Sequence, residues 1–445
     1  MCIRDREGFL VDATTVGLLG IVALLVLIFM GMNIGMALMA VGFFGFAIMT
    51  NFKAAISVLS TVPSTQAGSY SMIVVPLFIL MGSFAYRARL SSGLFDFTKK
   101  WLSRVPGNLA CATIAACAGF GAICGSTPAT CATMGAVSLP EMRKDGYDDR
   151  LSTGSIAFGG TLGILIPPST PMILYAVLTT SSVNALFSAG ILPGILQAGL
   201  GIITVVIWCK VCPGIAPPTS KCSWKERFLS IKEILGVVIL FGLVLGGMFS
   251  GWFSVAQAAA IGSFLAMLMM IFPGRTFTKN NVLDAIKECT GTFAMTFFIV
   301  IGASVFSSFL AITQLPMTLA ATIENMHVSK YIILALITLI YVFLGMIMDA
   351  MAMMMMTVPI FFPIVTALGF DPIWFGVYVI LVMNFGSISP PVGMCCFVVK
   401  GIDRKLSLGT IFKGVLPFIG TLFVAIALLV IFPQIATVVP NLLGL

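Results

Sequence analysis

Long apolar runs separated by short polar segments recur along the whole chain. A helix of about 20 apolar residues is long enough to cross the hydrocarbon core of a bilayer. The alternation that marks an outer-membrane barrel is missing. Ten runs connect the polar loops in order, at residues 15–31, 33–49, 71–86, 152–178, 186–209, 233–250, 254–272, 291–311, 375–400 and 410–432. The pattern predicts an all-α polytopic membrane protein with about ten crossings.

The basic residues divide the loops into two classes. Five loops contain clusters of Lys and Arg, near residues 87–104, 143–150, 210–232, 275–287 and 400–413. Four others contain at most one each, at residues 50–70, 312–330, 364–374 and 433–445. The positive-inside rule predicts that the first class is cytoplasmic and the second external. Both termini are then expected on the periplasmic side.

Two further apolar stretches begin and end on the same side of the membrane. Residues 108–140 lie between cytoplasmic loops, and residues 331–366 lie between external ones. Each is therefore predicted to be a re-entrant helical hairpin. Non-helical backbone at such a tip is tolerated only when it is buried in protein or lines a cavity.

The second half of the chain repeats features of the first half at a constant offset. The matched residues are Pro140 and Pro363, Gly163 and Gly386, and the pairs Pro167–Pro168 and Pro390–Pro391. The loop that contains GYD is basic, whereas the matching loop with GFD has no Lys or Arg, so the two loops are expected on opposite sides. This indicates an inverted-topology repeat, as in secondary transporters. The predicted halves are residues 15–230 and 231–445, and residues 1–14 are set apart because MCIRDRE is unlike the rest. Shared ancestry without a transport role is the alternative.

The repeat predicts four interruptions of helices at membrane depth. Proline breaks a helix interior, so residues 152–178 and 375–400 are expected to be broken helices. The hairpin tips are placed at Ser126 and Asp349, which precede the first proline of their respective pairs by the same distance along the chain. Such interruptions meet near the midplane in transporters and form the binding site.

The interruptions offer two kinds of chemistry. The N-terminal ends of half-helices suit a substrate carboxylate, and freed carbonyl groups with hydroxyl oxygens suit a small hard cation. Asp349 is the one ionisable residue between Lys330 and Asp371, and an intramembrane acid is functional by default. It is expected to bind a cation or carry a proton, with helix capping as the alternative. For each hydroxyl, a hydrogen bond to its own helix is the alternative.

Other chemistry is poorly supported. Cys209-x-x-Cys212 lacks the second pair that a metal site needs, and the run Met353–Met356 favours packing over copper binding. The net charge of +8 fits cytoplasmic loops and requires no nucleic acid. With Asp349 alone in the charge-free runs and no histidine there, an enzyme is not expected, and neither is a cofactor. Since GxxxxGK[ST] is absent, transport would be driven by an ion gradient unless a partner hydrolyses ATP.

Four segments together resemble the large membrane subunit of tripartite ATP-independent periplasmic (TRAP) transporters, the DctM type. They are ICGSTPATCATMG, MRKDGYDDRLSTGSIAFGGTLGILIPPSTPMILYA, MDAMAMMMMTVPIFFPIVTALGFDPIWFGVYV and FGSISPPVGMCCFVVKGI. The resemblance extends over nearly the whole chain from about residue 15. It implies sodium-coupled import of an organic acid, usually a carboxylate, across the bacterial inner membrane by an elevator-type motion. It also implies two partners, a small four-helix membrane subunit and a periplasmic substrate-binding protein.

The resemblance and the repeat together give two sets of candidate residues. The sodium candidates are Gly125, Ser126, Thr127, Pro167, Ser169, Asp349, Ser387, Ser389 and Pro390. The substrate candidates are Thr130, Pro168, Thr170, Asn384, Pro391 and Gly393.

The sequence departs from the resembled family at two positions. Gln257 stands where many members have an acid, and Ile312-Thr313-Gln314-Leu315-Pro316 lacks an arginine that some members have before Gln-x-Pro. If that arginine pairs with the substrate carboxylate, this chain must hold its substrate differently. The rival interpretations are a stand-alone ion-coupled dicarboxylate carrier without a binding protein, a membrane enzyme, and a scaffold subunit that transports nothing.

Overall fold

A computed structural model describes residues 12–219, 222–271, 276–325 and 328–445. These residues form 21 helices, and they include no strand. The all-α prediction is therefore confirmed. The charged residues 1–7 and His327 lie outside the described residues.

Seven helical segments of the described chain are long and apolar enough to cross a membrane. They are Tyr70–Arg87, Asp149–Thr179, Val183–Val211, Trp224–Phe249, Lys279–Thr313, Ala350–Ala367 and Leu408–Ile431. Shorter apolar helices of the described chain include four at predicted crossings, Ala13–Phe29, Ile34–Met49, Val255–Met269 and Pro372–Ile388. The chain has the composition of a multi-pass membrane protein, and the number of ten crossings stays a prediction.

The helices follow one another with short connections. The first five are α1 (Ala13–Phe29), α2 (Ile34–Met49), α3 (Phe52–Ala67), α4 (Tyr70–Arg87) and α5 (Leu90–Trp101). The next four are α6 (Asn108–Cys124), α7 (Thr127–Lys144), α8 (Asp149–Leu165) and α9 (Thr170–Thr179). Six follow, α10 (Val183–Val211), α11 (Trp224–Leu229), α12 (Ile231–Phe249), α13 (Val255–Met269), α14 (Lys279–Thr313) and α15 (Leu315–Asn325). The last six are α16 (Lys330–Gly345), α17 (Ala350–Ala367), α18 (Pro372–Ile388), α19 (Met394–Ile402), α20 (Leu408–Ile431) and α21 (Gln434–Leu443).

Five segments that the sequence suggested were loops contain helices, namely α3, α5, α11, α15 and α21. In α3, Ser and Thr hydroxyls donate to carbonyl groups one turn earlier, as from Thr61 to Ser57 at 2.8 Å. In α5, Leu94 and Phe95 are buried while Lys99 and Lys100 pair with acids of other helices. Hydropathy detects crossings and overlooks such polar or amphipathic helices.

Both stretches predicted to be hairpins consist of two helices joined by a short turn. Between α6 and α7 lie Gly125 and Ser126, and Gly125 has a φ of 61°, a conformation that glycine adopts without steric cost. Between α16 and α17 lie residues 346–349, and Asp349 is the N-cap of α17. That these units re-enter the membrane stays a prediction.

Both predicted broken helices are interrupted at their proline pairs. The first ends at Leu165 and resumes at Thr170, and the second ends at Ile388 and resumes at Met394. The Pro167–Pro168 and Pro390–Pro391 peptide bonds are both cis. The order of helix, turn, helix, helix, break, helix thus recurs in α6–α9 and α16–α19. The inverted orientation of the halves and their boundaries at 15–230 and 231–445 stay predictions.

Glycines let each hairpin lie directly against the first part of its broken helix. A Cβ added to Gly121 of α6 would lie 2.7 Å from the Cα of Gly163 in α8. A Cβ added to Gly386 of α18 would lie 2.5 Å from the Cα of Gly345 in α16. The two halves also pack across each other, because α9 contacts α17 and α7 contacts α19. This exchange brings the interruptions of both halves into one region.

Candidate functional site

The first hairpin tip lies against the first helix break. A Cβ added to Gly125 would lie 3.0 Å from the Pro168 carbonyl oxygen and 3.5 Å from the Thr170 nitrogen. The carbonyl oxygen of Ser126 would be 2.8 Å from a Cβ added to Gly163. Backbone groups of the tip and the break therefore meet without an intervening side chain, as the sequence predicted for this pair of interruptions.

Two hydroxyl groups beside this contact have no protein partner. Thr127 and Thr130 are buried, and neither Oγ1 atom makes a hydrogen bond within the described part of the chain. A buried polar atom without a protein partner is costly, and a bound ion or an ordered water is a common reason for one. Hydroxyl oxygens are suitable ligands for a hard cation. The donor set at the tip thus fits a sodium ion.

Three other predicted hydroxyl ligands bond to their own segment, which was the alternative considered for each. Ser169 Oγ donates to the Ile164 carbonyl at 2.6 Å. Ser387 and Ser389 donate to carbonyl groups one turn earlier, at 3.0 and 2.7 Å. Their oxygen lone pairs can still accept, so these bonds orient the oxygens without removing them from the candidate set.

Asp349 caps a helix at the second hairpin tip. Its carboxylate accepts a hydrogen bond from the Met351 backbone N–H at 3.1 Å. No ion pair of the described residues includes it. The capping alternative therefore describes its protein contacts, and a bound cation would add to them.

The two breaks differ in their exposure. Pro167, Pro168, Ser169 and Thr170 are all buried. In the second break Ser389 is buried, Pro390 is half-buried and Pro391 is exposed. Gly393 is the N-cap of α19 with a φ of 57°. The second break thus offers backbone and proline surface that the first one buries.

Asn384 of α18 is linked to α8, the first part of the other broken helix, through Gln197 of α10. Its Nδ2 donates to Gln197 Oε1 at 3.1 Å, and Gln197 Nε2 donates to Thr161 Oγ1 at 2.8 Å. Thr161 and Asn384 are separated by the constant offset of the repeat, so they occupy equivalent positions in its two halves. Asn384 Oδ1 is buried without a partner in the described residues. Gln197 was missed because a lone amide in an apolar helix gives no motif.

A cavity of about 270 Å³ adjoins the first tip and the first break. Ser126 and Thr170 line it, and so does Met351 in the first turn of α17, so both hairpins contribute to one cavity. The remaining lining residues are Ile79, Gly82, Ser83, Tyr86, Phe120, Cys124, Ala129, Ala132, Thr133, Glu288 and Thr292. The other predicted site residues are not among those that line it.

Glu288 and its partners were missed by sequence reasoning. Glu288 Oε2 accepts hydrogen bonds from Ser83 Oγ at 2.7 Å and from Arg87 Nη1 at 2.9 Å. Arg87 counts as a loop charge in the sequence, and Glu288 lies next to Lys287 in a basic cluster. The one available signal was that the apolar run of residues 291–311 begins directly after Glu288.

The two departures from the resembled family have local structural roles. Gln257 forms a capping box with Ser254, in which its Oε1 accepts from the Ser254 N–H at 2.9 Å. An amide fulfils this role as well as an acid does. Thr313, directly before Gln314, stands where some members have an arginine; it is buried, and its Oγ1 donates to the Leu310 carbonyl at 2.8 Å. Neither residue lines the cavity.

Comparison with known proteins gives a consistent family assignment. The sequence model of the "Tripartite ATP-independent periplasmic transporter, DctM component" matches residues 21–435. The C4-dicarboxylate TRAP transporter large permease protein DctM of Pseudomonas aeruginosa is 32% identical over 84% of this chain and 87% of its own. The sialic acid TRAP transporter large permease protein SiaM of Vibrio cholerae is 32% identical over 94% of this chain and 96% of its own.

A solved structure agrees in fold. The YdaH transporter of Alcanivorax borkumensis superposes with a TM-score of 0.63 at 15% identity, over 87% of this chain and 90% of its own. The sequence relatives are permeases and not enzymes, in agreement with the expectation from the sequence. The chain belongs to the DctM family of TRAP transporter large permease subunits.

Proposed function

We propose that this chain carries an organic acid, through an alternating-access motion of the elevator type, and that a sodium gradient drives it. The observation that carries the sodium proposal is the pair of buried hydroxyls of Thr127 and Thr130, which lack protein partners beside the contact of tip and break. Thr170, next to that break, lines the cavity and begins α9, whose N-terminal dipole favours an anionic group. An acid and its coupling ion would thus bind side by side.

The proposed assembly includes two partners. A small membrane subunit would bind the scaffold, and a periplasmic binding protein would deliver the acid. The relatives named for C4-dicarboxylates and for sialic acid suggest carboxylates as the substrate class. The proposed assembly lies in the inner membrane, and both termini of this chain are proposed to face the periplasm.

The test is uptake into proteoliposomes that contain this chain and the small subunit, with the binding protein outside. Succinate and a sialic acid are the two labelled probes. Uptake should require an inward sodium gradient and should be lost when potassium replaces sodium. Uptake that persists without the binding protein would instead support a stand-alone carrier. Accumulation without any ion gradient would contradict the coupling proposal.

A further inference from the structure

An ion pair lies beside the cavity, outside the hairpins and breaks, and of its two members only Glu288 lines the cavity. It joins Arg87, in the last turn of α4, to Glu288 of α14. Among the described residues that line the cavity, Glu288 is the one with a charged side chain. An anionic substrate in this cavity would therefore meet a negative charge unless Glu288 moved away.

The two partners differ in how firmly they are held. The Arg87 side chain is 16% exposed, whereas that of Glu288 is 54% exposed. Arg87 Nη1 also donates to the carbonyl oxygen of Ser83 at 3.1 Å and to its Oγ at 2.6 Å. Glu288 can therefore rotate away from Arg87 and become hydrated. Arg87 is held more firmly, because rotating it away would also break its hydrogen bonds to the carbonyl oxygen and the hydroxyl of Ser83.

Arg87 and Ser83 together form a carboxylate-binding arrangement. The guanidinium N–H and the Ser83 hydroxyl both donate to one oxygen of Glu288. Charge-assisted hydrogen bonds of this kind are the stronger ones in proteins. A carboxylate of an incoming organic acid could accept the same two hydrogen bonds, so exchanging one carboxylate for another leaves the half-buried arginine paired throughout.

We propose that Arg87 and Ser83 form the subsite for a carboxylate of the transported acid, and that Glu288 occupies this subsite when no substrate is bound. The proposal rests on the proposed transport of organic acids and names a specificity-determining residue for it. It also supplies a cationic group in a chain that lacks the arginine before Gln314. Glu288 keeps Arg87 paired until a substrate carboxylate displaces it.

The competing interpretation is that the ion pair between α4 and α14 is purely structural. A structural ion pair loses the same interaction when either partner is neutralised, so both changes would lower stability alike, and succinate would not affect the reactivity of the cavity wall. In the exchange proposal succinate binds at Arg87 and lowers the ratio of anionic to cationic modification, so Glu288→Gln should strengthen this effect and Arg87→Gln should abolish it. Glu288→Gln uncovers the positive charge of Arg87, whereas Arg87→Gln leaves only the negative charge of Glu288 in the cavity.

A thiol on the cavity wall can report this charge directly. Ala132 of α7 is exposed and lines the cavity, so Ala132→Cys gives an accessible reporter. The probes are the anionic sulfonatoethyl and the cationic trimethylammonioethyl methanethiosulfonates. Mass spectrometry of the peptide that contains residue 132 distinguishes its modification from that of the native cysteines. The measured quantity is the ratio of the anionic to the cationic modification rate in the purified protein.

In the reporter background, Glu288→Gln should raise this ratio about threefold or more, and Arg87→Gln should lower it by a similar factor, because fixed charges in clefts change the local concentration of ions. Arg87→Lys keeps the charge and should leave the ratio close to that of the parent. Glu141→Gln is the matched control, since it breaks the ion pair of Lys99 and Glu141 at 2.8 Å, and neither residue lines the cavity.

Equal ratios in all variants, or a parent ratio that saturating succinate leaves unchanged, would overturn the proposal. If Arg87→Gln does not fold, the contrast between Glu288→Gln and Glu141→Gln decides alone. The reactivity requires no transport. If the parent protein takes up neither succinate nor sialic acid, the proposed function fails for those acids while the charge measurement still tests the subsite.

Discussion

The buried hydroxyls of Thr127 and Thr130 have no hydrogen-bond partner among the described residues. Replacing them therefore tests whether they bind sodium or only support the fold. Replacing both by valine removes two unpartnered polar atoms at nearly constant volume. Without sodium, we expect the double variant to melt at the parent temperature or slightly higher. With sodium, the parent should be stabilised by ligand linkage, and the variant should lose that increase.

Thr113→Val is the matched control for this pair. Thr113 is buried on α6, and its hydroxyl donates to the Leu109 carbonyl at 2.8 Å. Melting curves in sodium chloride and in choline chloride at equal ionic strength should show the full sodium effect in the control. A double variant that retains the parent's sodium effect would remove Thr127 and Thr130 from the proposed site.

Gln197 links equivalent positions of the two halves through Thr161 and Asn384. Gln197→Leu leaves the amide of Asn384 and the hydroxyl of Thr161 without this partner in a buried place. We expect the free energy of unfolding to fall by about 1–3 kcal/mol, measured by denaturation in detergent. Gln66→Leu should cost less, because half-buried Gln66 can exchange its bond to Ser304 for water. Equal losses would contradict this role.

At the scale of the elements, α16 and α18 make a close glycine contact at Gly345 and Gly386. Gly386→Ala would place a Cβ 2.5 Å from the Gly345 Cα, where only backbone can move. We expect a loss of about 1–3 kcal/mol from overpacking, again by denaturation in detergent.

Gly199→Ala on α10 is the control, because its Cβ would meet nothing within 4 Å. There, alanine should stabilise the helix by about 0.5–1 kcal/mol. If both substitutions shift stability in the same direction, the contact of α16 with α18 is looser than described.

Arg143 connects three helix ends at polar loops. Arg143 lies in the last turn of α7. It pairs with Asp149 at the start of α8 and with Asp403 directly after α19. The Lys405 backbone N–H, and then Arg143, lower the pKa of Asp403 below its usual value. A carboxyl with a lowered pKa contributes stability above its unfolded pKa and loses it as the pH falls through the folded pKa.

Stability should therefore decline as the pH falls below about 4, near the unfolded pKa of aspartate. Arg143→Gln should be less stable than the parent at pH 7 and should lose less between pH 5 and pH 3, as measured by melting temperature. Lys413→Gln is the control, because this exposed lysine makes no ion pair with the described residues. An unchanged pH profile in Arg143→Gln would assign the acid sensitivity to other carboxyls.

The sequence located the interrupted helices well because their signals are local. Proline pairs and the glycine at residue 125 act on the backbone where they stand, and the recurrence of the proline pair in the second half doubles that signal. The helices α3, α5, α11, α15 and α21 were missed because they are polar or amphipathic. The ion pair of Arg87 and Glu288 was missed because it joins residues 201 positions apart, and only tertiary packing brings them together.

At the scale of the whole molecule, the ion pairs of α5 reach both the first hairpin and a helix outside the hairpins, so they can test which helices move together in the proposed elevator. Its Lys99 pairs with Glu141 of α7, in the first hairpin, at 2.8 Å. Its Lys100 pairs with Glu233 of α12, outside both hairpins, also at 2.8 Å. Among the ion pairs of the described chain, these are the two that contain lysine. A carbodiimide can join an amine to a carboxylate at this distance.

Arginine substitutions select one link at a time, because a guanidinium keeps the ion pair but is not coupled by the carbodiimide. In Lys100→Arg the link between Lys99 and Glu141 remains possible, and coupling should abolish uptake if α7 moves relative to α5. In Lys99→Arg only the link between Lys100 and Glu233 remains. The control is the double variant with Lys99→Arg and Lys100→Arg, in which neither link can form, and after coupling Lys99→Arg should take up substrate about as fast as this control. The purified permease is coupled before its partners are added, and peptide mass spectrometry verifies each link. Full uptake with Lys99 joined to Glu141 would mean that the first hairpin and α5 move as one body, so the moving boundary of the elevator would have to lie elsewhere.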